Sequence, residues 1–209
     1  MRPKRPLSPP ALAALAALAL LAAPPLAAPC HAFERQWHAG GGLGVGAFSR
    51  GDRSGVGPVL DLNLSYGLTD QFNLLGEITL GSFGVSAPDP PAPVPGQPPP
   101  PPPPAGPGNY SYQSAVVGVA YTLDVLRWVP YGGVFVGAAR LGAGEGFGGA
   151  LGGDAYRRVA LDAGAGVGLD YQVTRELALG AVARYHRVFV EPSASLFYGG
   201  LRAQYTWGF

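Results

Sequence analysis

The segment that most restricts the fold is the last one. Leu201, Ala203, Tyr205, Trp207 and Phe209 alternate with Arg202, Gln204, Thr206 and Gly208, a period of two that an extended strand turns into one apolar and one polar face. The apolar face is aromatic, and the chain ends on it.

The opposite end supplies the setting. Arg2, Lys4 and Arg5 form a basic start, Ala11 to Ala23 is an uninterrupted Ala/Leu run, and small residues follow from Ala27 to Ala32, the layout of a cleavable secretory signal. The run is too short to cross a bilayer core of about 30 Å as a helix. Residues 1–32 are therefore read as the leader, cut after Ala32 or, alternatively, after Ala28. Cys30 would be acylated only in a lipoprotein-type signal, and Pro29 occupies the position that such signals fill with a small residue. Cleavage after Ala32 leaves residues 33–209 without cysteine, which excludes disulfides and thiolate metal sites. Behind such a leader, a terminal strand this aromatic fits an apolar face turned toward lipid.

Composition agrees. Three of the fourteen basic residues lie in the leader, against thirteen acids in the chain, so the mature part is slightly acidic and offers no basic patch for nucleic acid. Its basic side chains are all arginine. Beyond the leader no stretch approaches the roughly 18 consecutive apolar residues of a membrane helix. Glycine is abundant and charge sparse, as in strands that alternate apolar with small or polar residues.

Scanning for that alternation predicts eight crossing strands, each near the 9–11 residues or so that a tilted membrane strand needs. Trp37 to Phe48 turns Trp37, Ala39, Leu43, Val45 and Ala47 outward over a mostly glycine face. Val59 to Gly67 sets Leu60, Leu62, Leu64 and Tyr66 against Asp61, Asn63 and Ser65. Phe72 to Phe83 sets Phe72, Leu74, Ile78 and Leu80 against Asn73, Glu77 and Thr79. Tyr112 to Leu123 has Val117, Val119, Tyr121 and Leu123 outside and Gly118, Ala120 and Thr122 inside. Val129 to Leu141 has blurred parity; Tyr131, Phe135, Ala139 and Leu141 are assigned outward and Arg140 inward, with Pro130 tolerated near the strand start. Val159 to Tyr171 sets Leu161, Ala163, Ala165, Val167, Leu169 and Tyr171 against Asp162, three glycines and Asp170. Leu177 to His186 points Ala178, Gly180, Val182, Arg184 and His186 inward, and Ser195 to Phe209 completes the set.

The connections alternate in length. Those near Asp70, Asp124 and Thr174 are short, whereas Ser49–Gly57, Gly84–Asn109 and Gly142–Arg158 read as long loops; short turns belong in the periplasm and long loops outside. Aromatics near the short turns (Trp37, Tyr66, Phe72, Tyr121, Trp128, Tyr171, Tyr205, Trp207 and Phe209) predict an inner girdle, and Phe48, Phe83, Tyr112, Phe189 and Phe197 an outer one.

Gly168-Leu-Asp-Tyr171 through Arg184-Tyr-His186, together with the ending Tyr205-Thr-Trp-Gly-Phe209, resemble the small bacterial outer-membrane β-barrel superfamily that includes the outer-membrane protein A-like and opacity-type proteins. The resemblance covers the mature chain. It implies an all-β fold, an eight-stranded antiparallel up-and-down transmembrane β-barrel in the bacterial outer membrane. It also implies contact with outer-membrane lipid and lipopolysaccharide, and recognition of Tyr205, Trp207 and Phe209 by the barrel-assembly machinery. Closure predicts a monomer, and no cell-wall-binding domain is expected after Phe209. A soluble lipocalin-type barrel would need an apolar lumen, which the inward Asp61, Glu77, Asp162, Arg184 and Arg202 argue against.

Chemistry is sparse. Asp61, Glu77, Arg140, Asp162, Asp170, Arg184, His186 and Arg202 form the predicted polar network of the lumen, where buried charges must pair or find water. A plug that stabilises the barrel is the preferred reading; a narrow channel or carrier for small or hydrophobic solutes is the alternative. Hydrolysis of envelope lipid ranks third. Lipid A deacylases place a serine two residues after their histidine, and here Val188 follows His186 at that spacing, with Glu191 beyond. Residues 84–109 predict a Pro-rich external loop, Pro98 to Pro104 forming a polyproline II rod of about 20 Å. Gly142 to Gly153 lacks the Lys-Ser/Thr of a phosphate loop. No catalytic residue, metal or cofactor is expected, and the role predicted is structural or surface-interacting.

Overall fold

The computed structural model describes residues 35–85, 108–123, 127–143 and 158–208; residues 1–34 with the leader, the Pro-rich segment 86–107, residues 124–126 with the turn predicted at Asp124, residues 144–157 and Phe209 lie outside the described residues. Eight strands form: β1 (Trp37–Arg50), β2 (Arg53–Gly67), β3 (Phe72–Val85), β4 (Asn109–Thr122), β5 (Trp128–Ala143), β6 (Arg158–Gln172), β7 (Leu177–Phe189) and β8 (Ala194–Trp207). Each pairs antiparallel with its sequence neighbours, and β1 pairs with β8 to close the barrel.

The register sets the tilt. From His38 the pairing runs through Ser65, Leu75, Gly118, Phe135, Gly164, His186 and Leu196 and returns to β1 at Phe48. That offset along β1 is the stagger that a tilted, closed sheet requires. The ladder between β2 and β3 skips residues 57 and 58, where Pro58 has no N–H to give.

One end of the barrel, the turn end, carries two similar tight turns. Thr69 Oγ1 accepts hydrogen bonds from the backbone N–H of Gln71 and Phe72, at 3.3 and 3.0 Å. Thr174 Oγ1 accepts from Glu176 and Leu177, at 3.2 and 3.0 Å. A threonine hydroxyl thus replaces the backbone acceptor in each.

The opposite, loop end differs from expectation at its first connection. Ser49–Gly57 reads as a long loop, yet β1 and β2 pair up to Arg50 and Arg53 around Gly51 and Asp52. Gly51 has a φ of 62°, the backbone a two-residue hairpin demands of its first central residue.

Alternation is as predicted on β1, β2, β3, β4, β6, β7 and β8, with Leu43, Leu62, Ile78, Val117, Leu161, Leu179 and Leu201 among the exposed outward side chains. Strand β5 has the opposite phase. Val129, Phe135, Ala139 and Leu141 are buried inside, while Trp128, Val134 and Val136 are exposed outside. Arg140 shares the outward parity of Val134 and Val136 and leaves the lumen. The reason is space. Phe135 lies opposite Gly118 on one side and Gly164 on the other, and a Cβ at Gly164 would meet its ring at 2.5 Å. Outside, Val134 and Val136 lie opposite Val119 and Val117.

The same rule fills the rest of the interior. Arg184 lies opposite Gly166, Tyr198 opposite Gly46, and Arg202 opposite both Gly42 and Gly180. Inward glycines make room for the large side chain on the neighbouring strand, as the narrow cross-section requires.

Three residues predicted for the outer girdle also turn inward. Phe48, Phe83 and Tyr112 are fully buried, whereas Phe189 and Phe197 are 57% and 56% exposed. The first three fall on the inward parity of their own strands, which overrides their level along the barrel.

Candidate functional site

The lumen is layered rather than uniformly polar. At the loop end Phe48, Phe83, Tyr110, Leu141, Val188 and Leu196 belong to one buried apolar cluster. Phe48 stacks on Phe83 at 5.2 Å between centroids and meets Tyr110 at 5.7 Å. This layer has no counterpart in the sequence reading, which expected a polar lumen throughout.

Beneath it lie the buried charges. Glu77 of β3 and Arg184 of β7 reach across the barrel to form an ion pair, with exposures of 4% and 2%. Glu77 also accepts hydrogen bonds from Thr79 Oγ1 at 3.0 Å and from Tyr198 OH at 3.3 Å. Asp162 of β6 accepts a hydrogen bond from Tyr112 OH at 2.7 Å, and its same oxygen lies 3.0 Å from His186 Nδ1. The His186 ring is enclosed by Tyr112, Phe135 and Tyr198 at 4.7–6.0 Å. Asp61 takes a long 3.4 Å hydrogen bond from Asn63 Nδ2.

The turn-end half contains a cavity of about 50 Å³, room for a few water molecules. His38, Asn63, Asn73, Tyr131, Asp170 and Arg202 are among its walls. Arg202 grips Asp170 with two hydrogen bonds, Nε at 2.9 Å and Nη2 at 2.6 Å, and gives a third to Gln204 Oε1 at 2.8 Å. Its guanidinium lies 4.3 Å from the centre of the Tyr131 ring, the planar geometry that arginine brings to both contacts. His38 Nδ1 lies 2.9 Å from Thr206 Oγ1.

Seven of the eight predicted lumen residues are thus inside, split into separate groups instead of one network; Arg140 is the exception. Asn63 and Thr79, predicted inward, complete these groups with Tyr198, which the prediction did not name, and with Tyr112 and Tyr131, which it turned outward and which the structure turns into the lumen. Tyr112, Tyr198, Asn63 and Thr79 lie on the inward parity already assigned to their strands, a signal the sequence does carry.

The serines that follow His186 in the chain are engaged away from its ring. His186 and Val188 are both fully buried inside, whereas Ser193 Oγ accepts a hydrogen bond from exposed Arg187 at 2.9 Å. Ser195 is paired with Ser49 at 2.7 Å. Among the described residues no group of three His, Cys, Asp or Glu side chains could hold a metal.

Outside, the turn end is ringed by aromatic pairs. Trp37 meets Tyr66 at 4.8 Å, Phe72 meets Tyr121 at 5.2 Å and Trp128 meets Tyr171 at 4.9 Å. Tyr205 stacks beside Trp207 at 6.2 Å. Strand β8 ends at Trp207, and Gly208, with a φ of 96°, turns away from it. An apolar outward face with an aromatic border is the surface of a barrel solvated by lipid.

Known proteins show the same architecture. Neisserial surface protein A is similar over 83% of this chain and 97% of its own, at 17% identity and a TM-score of 0.59. Ail, the attachment invasion locus protein of Yersinia pestis, covers 83% and 99%, at 14% identity and a TM-score of 0.50. OprG from Pseudomonas aeruginosa covers 84% and 97%, at 8% identity and a TM-score of 0.51. At such identities the likeness is one of fold. No curated protein matches the chain. The family model for the outer membrane protein beta-barrel domain matches residues 13–207, and with the closed eight-stranded sheet and its lipid-facing exterior this makes the chain a member of that family, a protein of the bacterial outer membrane.

Proposed function

We propose that the protein is a closed barrel with a structural or surface-interaction role, its loop end outside the cell and its tight turns in the periplasm. The observation that carries this reading is the apolar layer of Phe48, Phe83, Tyr110, Leu141, Val188 and Leu196 stacked over the buried ion pairs. An ion would have to shed its water to pass that layer, and beneath it Glu77 and Arg184 are paired across the lumen. The polar groups then hold the barrel wall together and do no chemistry. Closure leaves no strand edge for self-association, in keeping with a monomer. Tyr205 and Trp207, exposed on the closing strand, together with Phe209, are the proposed signal for barrel assembly.

A narrow channel is the competing reading, and the turn-end cavity is its starting point. Single-channel conductance of the refolded mature chain in planar bilayers decides between them. Electrical silence of a folded barrel is expected; discrete openings altered by Arg184→Ala would establish the channel. Orientation is tested separately. With Cys30 in the leader as the only natural cysteine, Asp52→Cys should react with an impermeant maleimide on whole cells.

A further inference from the structure

Among the described side chains, the outward surface of the strands carries ionised groups at two positions. Arg140 of β5 and Arg187 of β7 point outward, and Asp61, Glu77, Asp162 and Asp170 all point inward. Two cations therefore face the membrane side, and no carboxylate on that described strand surface answers them.

Their level is informative. Arg187 lies ten residues beyond Leu177 on β7, which at about 3.3 Å per residue and a tilt of about 40° is an axial rise of roughly 25 Å. That is about the height of the apolar band of an outer-membrane barrel. Arg140 lies twelve residues beyond Trp128 on β5, a rise of about 30 Å by the same geometry. Both arginines stand at the loop-end border of the apolar band, one strand on either side of β6.

Their surroundings on that face are apolar. Tyr185 and Phe189 flank Arg187 on its own strand, and Phe197 lies opposite Tyr185 on β8; all three are exposed. Arg140 lies opposite Val159, which is exposed beside Leu161. Arg187 uses one guanidinium donor on Ser193 and keeps the rest of its fork. A cation here, at the boundary between hydrocarbon and headgroups, is stabilised by an anion belonging to the membrane itself.

We propose that Arg140 and Arg187 form a binding site for the phosphate groups of an outer-leaflet lipid of lipopolysaccharide type, each arginine holding one phosphate while the lipid's acyl chains cover Leu161 and the Phe189 and Phe197 rings. Planar guanidinium forks match phosphate oxygens in pairs. The site rests on the proposed orientation, with the loop end in the outer leaflet.

The test uses the full mature barrel, folded in a zwitterionic detergent and verified by its heat-modifiable gel shift. It is titrated with purified lipopolysaccharide, with the same lipid after enzymatic dephosphorylation, and with inorganic phosphate. Wild type should bind the phosphorylated lipid, and Arg140→Gln and Arg187→Gln should each weaken binding by about tenfold. The dephosphorylated lipid should lose affinity to a similar degree. Unchanged binding in the folded double variant overturns the proposal, as does equal binding of the dephosphorylated lipid. Competition by inorganic phosphate at the lipid's own affinity would identify a general anion site and overturn the lipid assignment. Maleimide labelling of Asp52→Cys separates the two failures: a labelled loop end with no lipid binding removes this site alone, and an unlabelled loop end removes the orientation on which it rests.

Discussion

Replacing Glu77 by Leu leaves Arg184 inside the barrel with its cross-lumen partner gone, and the consequence is calculable from the structure. Both side chains are essentially buried, and stranding one member of a buried pair costs about 3–5 kcal/mol. Arg184 borders the turn-end cavity, so water there relieves part of the penalty and sets the expectation near 3 kcal/mol. Arg184→Met is the milder partner. It leaves Glu77 with hydroxyl donors from Thr79 and Tyr198, and a carboxylate can take up a proton where an arginine cannot lose one. Replacing both residues together with Leu and Met removes the charges and should restore stability to within about 1 kcal/mol of wild type. Urea unfolding in lipid vesicles reads all three variants. With a slope of about 1–3 kcal/mol per molar, Glu77→Leu should lower the midpoint by on the order of 2 M. If both single variants lie within about 1 kcal/mol of wild type, Arg184 is hydrated by continuous lumen water and the sealed-barrel reasoning fails.

Three further outcomes are expected. Gly164→Ala drives a methyl group into the Phe135 ring and the Tyr185 carbonyl and should cost about 1–3 kcal/mol in the same unfolding assay. Gly76→Ala, whose Cβ would meet nothing nearer than the Leu64 carbonyl at 3.7 Å, is the tolerated control. Phe83→Ala removes the ring stacked on Phe48, with a loss of about 3–5 kcal/mol, and should give an electrically silent barrel small openings in planar bilayers; silence in the folded variant would put the seal elsewhere. Trp128→Ala breaks the pairing with Tyr171 and should cost about 1 kcal/mol in vesicles beyond its buried area, a loss that disappears when Tyr171 is also removed, as a double-mutant cycle will show.

Strand count, the facing of most strands and the membrane address are legible in the chain because a period of two is local. On β2, for instance, Leu60, Leu62 and Leu64 against Asp61, Asn63 and Ser65 allow one phase only. Strand β5 offers no such choice: Val134, Phe135 and Val136 are contiguous and apolar, so a shift by one residue exchanges the faces at no cost visible within the strand. The glycines on β4 and β6 break that tie, since they alone leave space for Phe135 inside. The short connections near Asp70 and Thr174 are legible, but the Gly- and Ser-rich stretch after Ser49 reads as loop until the ladder from β2 is present to pair it.

Two-faced strands with an aromatic border are written locally in the chain, because those properties depend on neighbours one and two residues away. Which charges meet follows from closure of the sheet. Glu77 finds Arg184 because the stagger of the closed sheet brings β3 and β7 to a common level across the lumen. Asp162 finds Tyr112 and His186 by the same geometry, and the phase imposed on β5 by its neighbours sends Arg140 to the membrane side. Barrel closure relates residues far apart in the chain, and no local pattern encodes that distance.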